Sequence, residues 1–381
     1  MPRARLTYCS NVHAAPDLPT HLDALHRHAL PIAEQCRRAG APFGLGLWWP
    51  MQLAHELAHD VDSTRTLLAF LDGHDLPIWT LNAFPFDGFH ADVVKTAVYQ
   101  PDWSREERLH YTRVCADVLG LLGDRDEVAI STLPLGWRAP GAPEPDLRLM
   151  ARNLARCASA FAAVEKRTGV RCILALEPEP DCLLETARGA ADFLERWLFE
   201  EGAWTTVPAD VLRRHLGVCV DLCHLLVVGE DPVAAIADLR ARGIAVPKVQ
   251  VSSCLEVRSP EGLDRLLGFA EPRYLHQTVA EQGPRALDLD AVAARRAEFA
   301  AGGRIRSHYH VPLYWDEPGP FGSTQQEVAR VLRELARLPG PLPLFEVETY
   351  TWGVLGDLGG TEPLADRIAR EIAWARSCLE S

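Results

Sequence analysis

Two apolar runs in this chain end on a carboxylate. Cys172-Ile173-Leu174-Ala175-Leu176 leads into Glu177, and Pro178 and Pro180 stop the run. Leu216-Gly217-Val218-Cys219-Val220 leads into Asp221, with His224 three residues further on. An uninterrupted apolar run is the pattern of a parallel strand buried on both faces. A carboxylate at the end of such a strand is costly unless a cation or a hydrogen-bonding partner receives it. Two later runs also carry a polar group at or near their end, the amide of Gln250 in Pro247–Val251 and the carboxylate of Glu348 in Leu342–Glu348. Glu346 shares a strand face with Glu348 and is expected one layer deeper. Three carboxylates and an amide oxygen make a hard, oxygen-rich site. By ligand softness it suits Mg²⁺ or Mn²⁺, and Zn²⁺ or Co²⁺ once imidazoles join. Any one of the four has an ordinary explanation as a partner in the core. All four on consecutive strands point to one shared divalent ion held by Glu177, Asp221, Gln250 and Glu348.

Other residues can join this chemistry. His224 follows Asp221 where strand gives way to loop, so it can hold a second metal, orient a substrate hydroxyl or cap the next helix. His308 and His310 are two apart and face one side of an extended segment. A second ion, if present, would take His224 and His310. His13, Asn82, His90 and His308 are candidate substrate contacts. Trp48, Trp49, Trp137 and Trp352 follow strand ends, where indoles either stack on a flat apolar face or fill core; Trp352 is the candidate substrate contact among them.

The elements that must position these groups alternate. Apolar runs at Leu6–Val12, Phe43–Trp48, Pro77–Leu81, Val128–Leu133, Cys172–Glu177, Leu216–Asp221, Pro247–Val251 and Leu342–Glu348 predict eight strands. Amphipathic stretches between them predict helices at Leu18–Arg38, Leu53–Leu71, Arg105–Leu122, Asp146–Arg167, Ala187–Phe199, Pro232–Arg242, Leu287–Ala301 and Thr324–Leu338, with Pro363–Leu379 closing the chain. This alternation predicts an α/β fold, a (β/α)8 TIM barrel, with reactive groups at the C-terminal ends of its strands. No glycine-rich phosphate loop follows the first strand, which disfavours a nucleotide-binding open sheet. A single barrel domain over residues 1–381 is expected, with an insertion at about 254–320 after strand seven. Tyr274–Val279 and Arg304–Pro312 in that insertion look strand-like. The loop Asn82–Trp103 is long and aromatic, so it should be ordered and pack over something.

Bulk properties narrow the partners. The 381 residues carry a formal charge of −13, from 39 basic and 52 acidic side chains. No Lys/Arg run stands out, so a nucleic-acid partner is not expected. The opening stretch Met1–Cys9 lacks the apolar core of a signal peptide, and no run is long enough to span a membrane. A cytoplasmic protein with a small-molecule substrate is the expectation, compatible with a homo-oligomer or with pathway partners. The ten cysteines include no C-x-x-C pair, and several sit inside strand-like runs, so they read as reduced, buried thiols.

A family resemblance rests on these same residues. Leu174-Ala175-Leu176-Glu177-Pro178, Asp221-x-x-His224, Gln250 after a valine-rich strand and Glu348-Thr349 together resemble the xylose-isomerase-like TIM-barrel superfamily. That group includes sugar epimerases, hydroxypyruvate isomerase, inosose dehydratase and endonuclease IV-type enzymes. Several stretches resemble the EboE-type metabolite-traffic proteins more closely: Tyr8–His13, Asn82–Phe86, Phe89-His90, Leu176–Pro180, Asp221–His224, Tyr274–Gln277 and Glu348–Trp352. The resemblance implies one divalent metal on Glu177, Asp221, Gln250 and Glu348, with Gln at the third position as in hydroxypyruvate isomerase. It also implies that Glu177 and Glu348 face each other across the substrate as acid and base.

Such a site would acidify a C–H beside a metal-polarised carbonyl, and the resulting enediolate would be protonated again by a carboxylate or water. Isomerisation, epimerisation or dehydration of a small polyhydroxylated or keto metabolite follows. An endonuclease IV-like zinc phosphodiesterase is the alternative enzyme. Asp221-x-x-His224 and His308-x-His310 favour it, while Ser131-Thr132-Leu133-Pro134 stands where that family has a histidine. A non-catalytic metabolite carrier is the alternative outside enzymes.

Overall fold

The computed structural model describes residues 4–122, 127–200 and 205–381. Met1–Arg3 of the opening stretch lie outside the described residues. Seven strands come first: β1 (Leu6–Tyr8), β2 (Leu45–Leu47), β3 (Ile78–Asn82), β4 (Glu127–Thr132), β5 (Arg171–Leu176), β6 (Leu216–Asp221) and β7 (Ala245–Val251). A later strand, Leu344–Val347, completes the set. The spatial order places that last strand between β1 and β7, followed by β6, β5, β4, β3 and β2. All pairings are parallel, and a bridge from Cys9 to Gly46 brings the two ends together. The chain is a (β/α)8 barrel. Gly46 is required at the closure: a Cβ there would stand 1.9 Å from Glu346 Oε1 and 2.5 Å from the Tyr8 carbonyl.

The eight strands fall where the apolar runs predict, with instructive differences. The run Leu6–Val12 yields only Leu6–Tyr8, because Ser10–Val12 turns into a 3₁₀ helix and Ser10 Oγ accepts the Trp48 N–H. The predicted helix Leu18–Arg38 is continuous, but Leu25–Ala29 widens to a π turn. Pro31 has no N–H to return to the preceding turn, and the widening accommodates that gap. Leu53–Leu71 splits at Asp60, whose side chain accepts from Asp62 N and starts a second helix, Val61–His74. Leu287–Ala301 splits likewise, at Arg295.

Between β7 and the last barrel strand the chain builds a second sheet. Its strands are β8 (Ser253–Val257), β9 (Thr278–Ala280), β10 (Arg285–Ala286), β11 (Ile305–Val311) and β12 (Phe321–Ser323). All are antiparallel, in the order β10-β9-β11-β8-β12, which makes Leu344–Val347 β13. Leu255, Val257, Phe299, Ile305, Tyr309 and Phe321 give this sheet its own apolar core. The aromatic loop after β3 is ordered, with Phe89, Tyr99 and Trp103 buried. Val94 and Lys95 both donate their N–H groups to the Arg273 carbonyl at 2.8 Å, which ties the loop to the second sheet's approach segment. All ten cysteines are buried and free. Among the described residues, no helix is long and apolar enough to cross a membrane.

Candidate metal centre at the barrel mouth

The ladder positions each carboxylate as its strand runs out. Glu177 N donates to Thr132 O just past β5, Asp221 ends β6, and Glu348 N donates to Val251 O just past β13. Oxygens of Glu177, Asp221 and Glu348 all lie within 4.8 Å of one another, and all three side chains are buried. One oxygen of each residue is accounted for differently. Asp221 Oδ1 accepts from His224 N and Ser252 Oγ, both at 2.8 Å, while Oδ2 has no partner. Glu348 Oε1 accepts from Asn11 Nδ2 at 2.8 Å and Asn82 Nδ2 at 3.0 Å. Glu177 Oε2 has none. Gln250 is in register with Asp221, which puts both on one face; it is fully buried, and neither amide atom finds a partner.

Buried acceptors are rarely left unpaired in native proteins. The orphaned Glu177 Oε2 and Asp221 Oδ2, in one close group with Glu348, fit a divalent cation. The electrostatics agree. Burial, then the charges of Glu348 and Asp221, hold the Glu177 carboxyl well above the usual carboxylate range. Burial, then Asp221 and Glu346, push Glu348 up to about 8. Like charges crowded this way favour protons or a cation between them.

Beneath this layer lies a buried ion pair, Lys248 Nζ to Glu346 Oε2 at 2.5 Å, with Lys248 also donating to Ser131 Oγ at 3.1 Å. Burial lowers the Lys248 ammonium, but Glu346 and its neighbours outweigh that and keep it charged. Glu346 thus sits one layer deeper than Glu348, paired with a lysine.

A group of three imidazoles adjoins the carboxylates. His224 Nδ1 lies 3.0 Å from the Pro178 carbonyl, and His310 Nδ1 lies 2.6 Å from the Glu348 carbonyl. His308 Nδ1 lies 2.7 Å from Gln277 Oε1, and Gln277 Nε2 donates to Tyr99 and the Pro180 carbonyl. Each of these partners is an acceptor, so all three rings carry a proton on Nδ1 and turn Nε2 toward the site. His224 Nε2 and His308 Nε2 stand 3.1 Å apart, within hydrogen-bond distance. His224 Nε2 and His310 Nε2 are each 3.9 Å from an Asp221 oxygen. Asp221, His224 and His310 form one compact ligand group, and Glu179, His224 and His308 another. A tetrahedral zinc with arms of roughly 2.0–2.1 Å has edges of about 3.3 Å, close to these separations. Burial keeps His308 well below its ordinary range and lowers His310 to about 4, so both rings are neutral at pH 7.

A cleft with about 530 Å³ of empty space covers both groups. Glu177, Glu348, Asn82, His224, His308 and His310 line it. Asn82 reaches it as the hydrogen-bond donor to Glu348. His13, His90 and Trp352 are not among the lining residues. His13 turns back to meet the Tyr8 hydroxyl at 3.1 Å and stacks on His28. His90 packs beside Trp48 and Phe89. Trp352 joins the second sheet's core, with the Arg367 guanidinium 4.6 Å over its ring. Glu179, Asn11, Ser252 and Lys248 escaped the sequence reading. Glu179 had a visible signal, its two-residue spacing from Glu177; it accepts from the Tyr99 hydroxyl at 2.6 Å.

No protein-family model matches the chain, and no curated protein matches it. Solved structures do. A xylose isomerase-like TIM barrel protein from Mycobacterium smegmatis in complex with magnesium is 14% identical, with TM-score 0.55, covering 99% of this chain and 96% of that one. An L-ribulose 3-epimerase is 15% identical, with TM-score 0.52, covering 99% of this chain and 95% of that one. At such identity the likeness speaks for architecture alone, and the architecture shared with these two structures is the (β/α)8 barrel.

Proposed function

We propose that this protein is a divalent-metal-dependent isomerase or epimerase, or a dehydratase, acting on a small polyhydroxylated or keto metabolite. The carrying observation is the set of orphaned buried acceptors: Glu177 Oε2 and Asp221 Oδ2 in one carboxylate group, with Gln250 Oε1 in register with Asp221. Glu177, Asp221, Gln250 and Glu348 would hold the ion, which when bound supplies the positive charge that acidifies a C–H beside a carbonyl. Glu348 is assigned as one partner in proton transfer. Asn11 and Asn82 fix its orientation through Oε1, which holds the carboxylate in place to exchange a proton with the substrate. Glu177 is assigned as the other partner, on a separate strand of the same cleft. The magnesium in one structural neighbour and the epimerase activity of another are in keeping with this reading. The EboE-type kinship is part of the proposal and rests on the sequence stretches alone.

The compact group of Asp221, His224 and His310, with His310 Nε2 unpartnered, favours a second reading, a two-ion site with Asp221 shared and His224 and His310 on the second ion. That would bring the centre nearer to an endonuclease IV-like phosphodiesterase. Against it, the fourth strand offers Thr132, whose hydroxyl accepts from Trp103 Nε1 at 3.2 Å.

Metal analysis of the purified protein, followed by deuterium wash-in from D₂O into hydroxyketones and cyclitols, tests the proposal. Bound metal with exchange is expected. Glu177→Ala and Asp221→Ala should lose the metal and stay folded; unchanged occupancy in both would refute the ligand assignment. Tight binding without exchange would make the protein a carrier, and cleavage of abasic-site DNA would put the phosphodiesterase first.

A further inference from the structure

Four of the fourteen histidines gather away from the metal centre, where the first helix and the aromatic loop meet the exit of β1. His13 follows β1, His21 and His28 lie on the helix, and His90 lies on the loop. His13 and His28 stack with ring centroids 4.2 Å apart and planes 10° from parallel. The His90 ring meets backbone groups of Asn11 and His13. His21 is buried close by, and a charge on His21, His28 or His90 opposes one on His13.

The cluster is built for uncharged rings. His21 Nε2, His28 Nδ1 and His90 Nε2 are each buried without a hydrogen-bond partner. A neutral imidazole tolerates this, because one of its nitrogens carries no proton. An imidazolium donates from both, and a donor buried without an acceptor is costly. Burial holds all four rings below their ordinary range and lowers His21 to about 4. The charged neighbours do not reverse this. Asp23 reaches His28, but Arg27 holds it at 2.9 Å and adds its own positive charge. Arg273 adds another beside His90. The Tyr8 hydroxyl, 3.1 Å from His13 Nε2, is kept un-ionised by burial.

Two contacts tie the cluster to the cleft. Phe89, next to His90, packs on Tyr274 and Tyr350 of the cleft lining, with centroids 5.5 and 5.3 Å away. Asn11, whose backbone the His90 ring meets, donates its side-chain amide to Glu348 Oε1.

We propose that His13, His21, His28 and His90 form an acid-sensitive latch that holds the aromatic loop and the first helix against the barrel rim. Uncharged, the rings keep the loop shut over the cleft; protonated, they repel one another and release it. The closed latch binds protons less readily than the open one. Its hold is therefore full above the ordinary imidazole value near 6.5 and is lost as pH falls below it. The metal-free carboxylates respond in the opposite sense, holding firmer as pH falls. The latch needs no ion and goes beyond the metal-centre reading.

Hydrogen exchange on the full chain tests it, at about pH 7.5 and about pH 5, with labelling times scaled for intrinsic exchange. Each pH is run with and without chelator. Protection over 18–30 and 84–99 should fall at least about tenfold on acidification while β4, β5 and β6 keep theirs. His28→Gln and His90→Gln cannot take the charge, and in each the loss should be at least about halved. His26→Gln, on the exposed side of the same turn, should leave it as in wild type. A loss equal to wild type in either folded Gln variant of the cluster overturns the latch, so one that fails to fold does not block the test. Equal protection of the loop at both pH values overturns it too, as does a fall spread evenly over β4, β5 and β6, which is global acid unfolding. A chelator that changes nothing at the ends of β5 and β13 counts against the metal centre and leaves this comparison intact.

Discussion

At the residue scale, the crowded carboxylates make a prediction whose sign depends on the metal. Glu177 and Glu348 bind protons more tightly in the folded chain than in the unfolded one. The stability they contribute to the metal-free protein is therefore full below the ordinary value near 4.5 and is lost as pH rises through about 8. Chemical denaturation of chelator-treated protein should show stability falling across that window. With metal bound, the same rise in pH removes competing protons and should strengthen both affinity and stability. Glu177→Gln should consequently stabilise the metal-free protein at pH 8, by on the order of 1 kcal/mol, and destabilise the loaded one. Equal effects with and without metal would show that no ion belongs there. The Asn pair around Glu348 gives a second prediction. Asn82→Ala removes one donor to Oε1 and the acceptor for Phe84 N, so it should cost about 1–2 kcal/mol and slow any wash-in reaction while metal occupancy stays near wild type.

At the element scale, the barrel was legible because its strands are continuous apolar runs; β6 matches its run from Leu216 to Asp221. The carboxylate set was legible for the same reason, since Glu177, Asp221 and Glu348 are the polar exceptions at the ends of those runs. What the sequence hid is what depends on three dimensions. The strands β10 and β12 are too short to stand out, β8 follows β7 after a single residue, and the face that His308 turns to the site exists only because Gln277 Oε1 holds its Nδ1. His13 reads as the polar end of the first strand and His90 as part of the aromatic loop after the third, yet the turn after β1 sends His13 toward His28. The last helix, Leu364–Leu379, supplies a prediction of its own. Its Glu371 is fully buried and accepts from Leu313 N at 3.0 Å and Thr349 Oγ1 at 2.7 Å, clasping the ends of β11 and β13. Burial pushes its carboxyl up to about 8, so its contribution to stability fades as pH rises toward and past that value. Glu371→Ala should cost about 1–3 kcal/mol by stranding the Leu313 N–H, while Glu371→Gln should keep the clasp and flatten the pH dependence between 5 and 8. A Gln variant as unstable as the Ala variant would mean the clasp is not made by a neutral acid.

At the scale of the whole molecule, the centre joins two sheets that otherwise have separate apolar cores. The barrel brings Glu177, Asp221, Gln250 and Glu348; the second sheet brings His308 and His310 on β11, and the helix Leu222–Val228 brings His224 between them. An ion on the carboxylates alone ties barrel strands to one another, whereas an ion on Asp221, His224 and His310 ties the barrel to the second sheet. Binding only to the folded state adds stability in proportion to the logarithm of metal concentration over Kd, and it does so where the ligands are. Hydrogen exchange before and after chelation therefore counts the ions without any substrate in hand. With one ion, protection should fall at the C-terminal ends of β5, β6 and β13 and hold along β11. With two, Ile305–Val311 and Leu222–Val228 should lose protection as well, and His310→Ala should reproduce that part of the change alone. Loss confined to β11, with β5 and β13 unmoved, would reverse the assignment and make the imidazole group the principal site. The carboxylates would then be a buried acidic cluster kept partly neutral by protons, with Lys248 as the fixed charge beneath it.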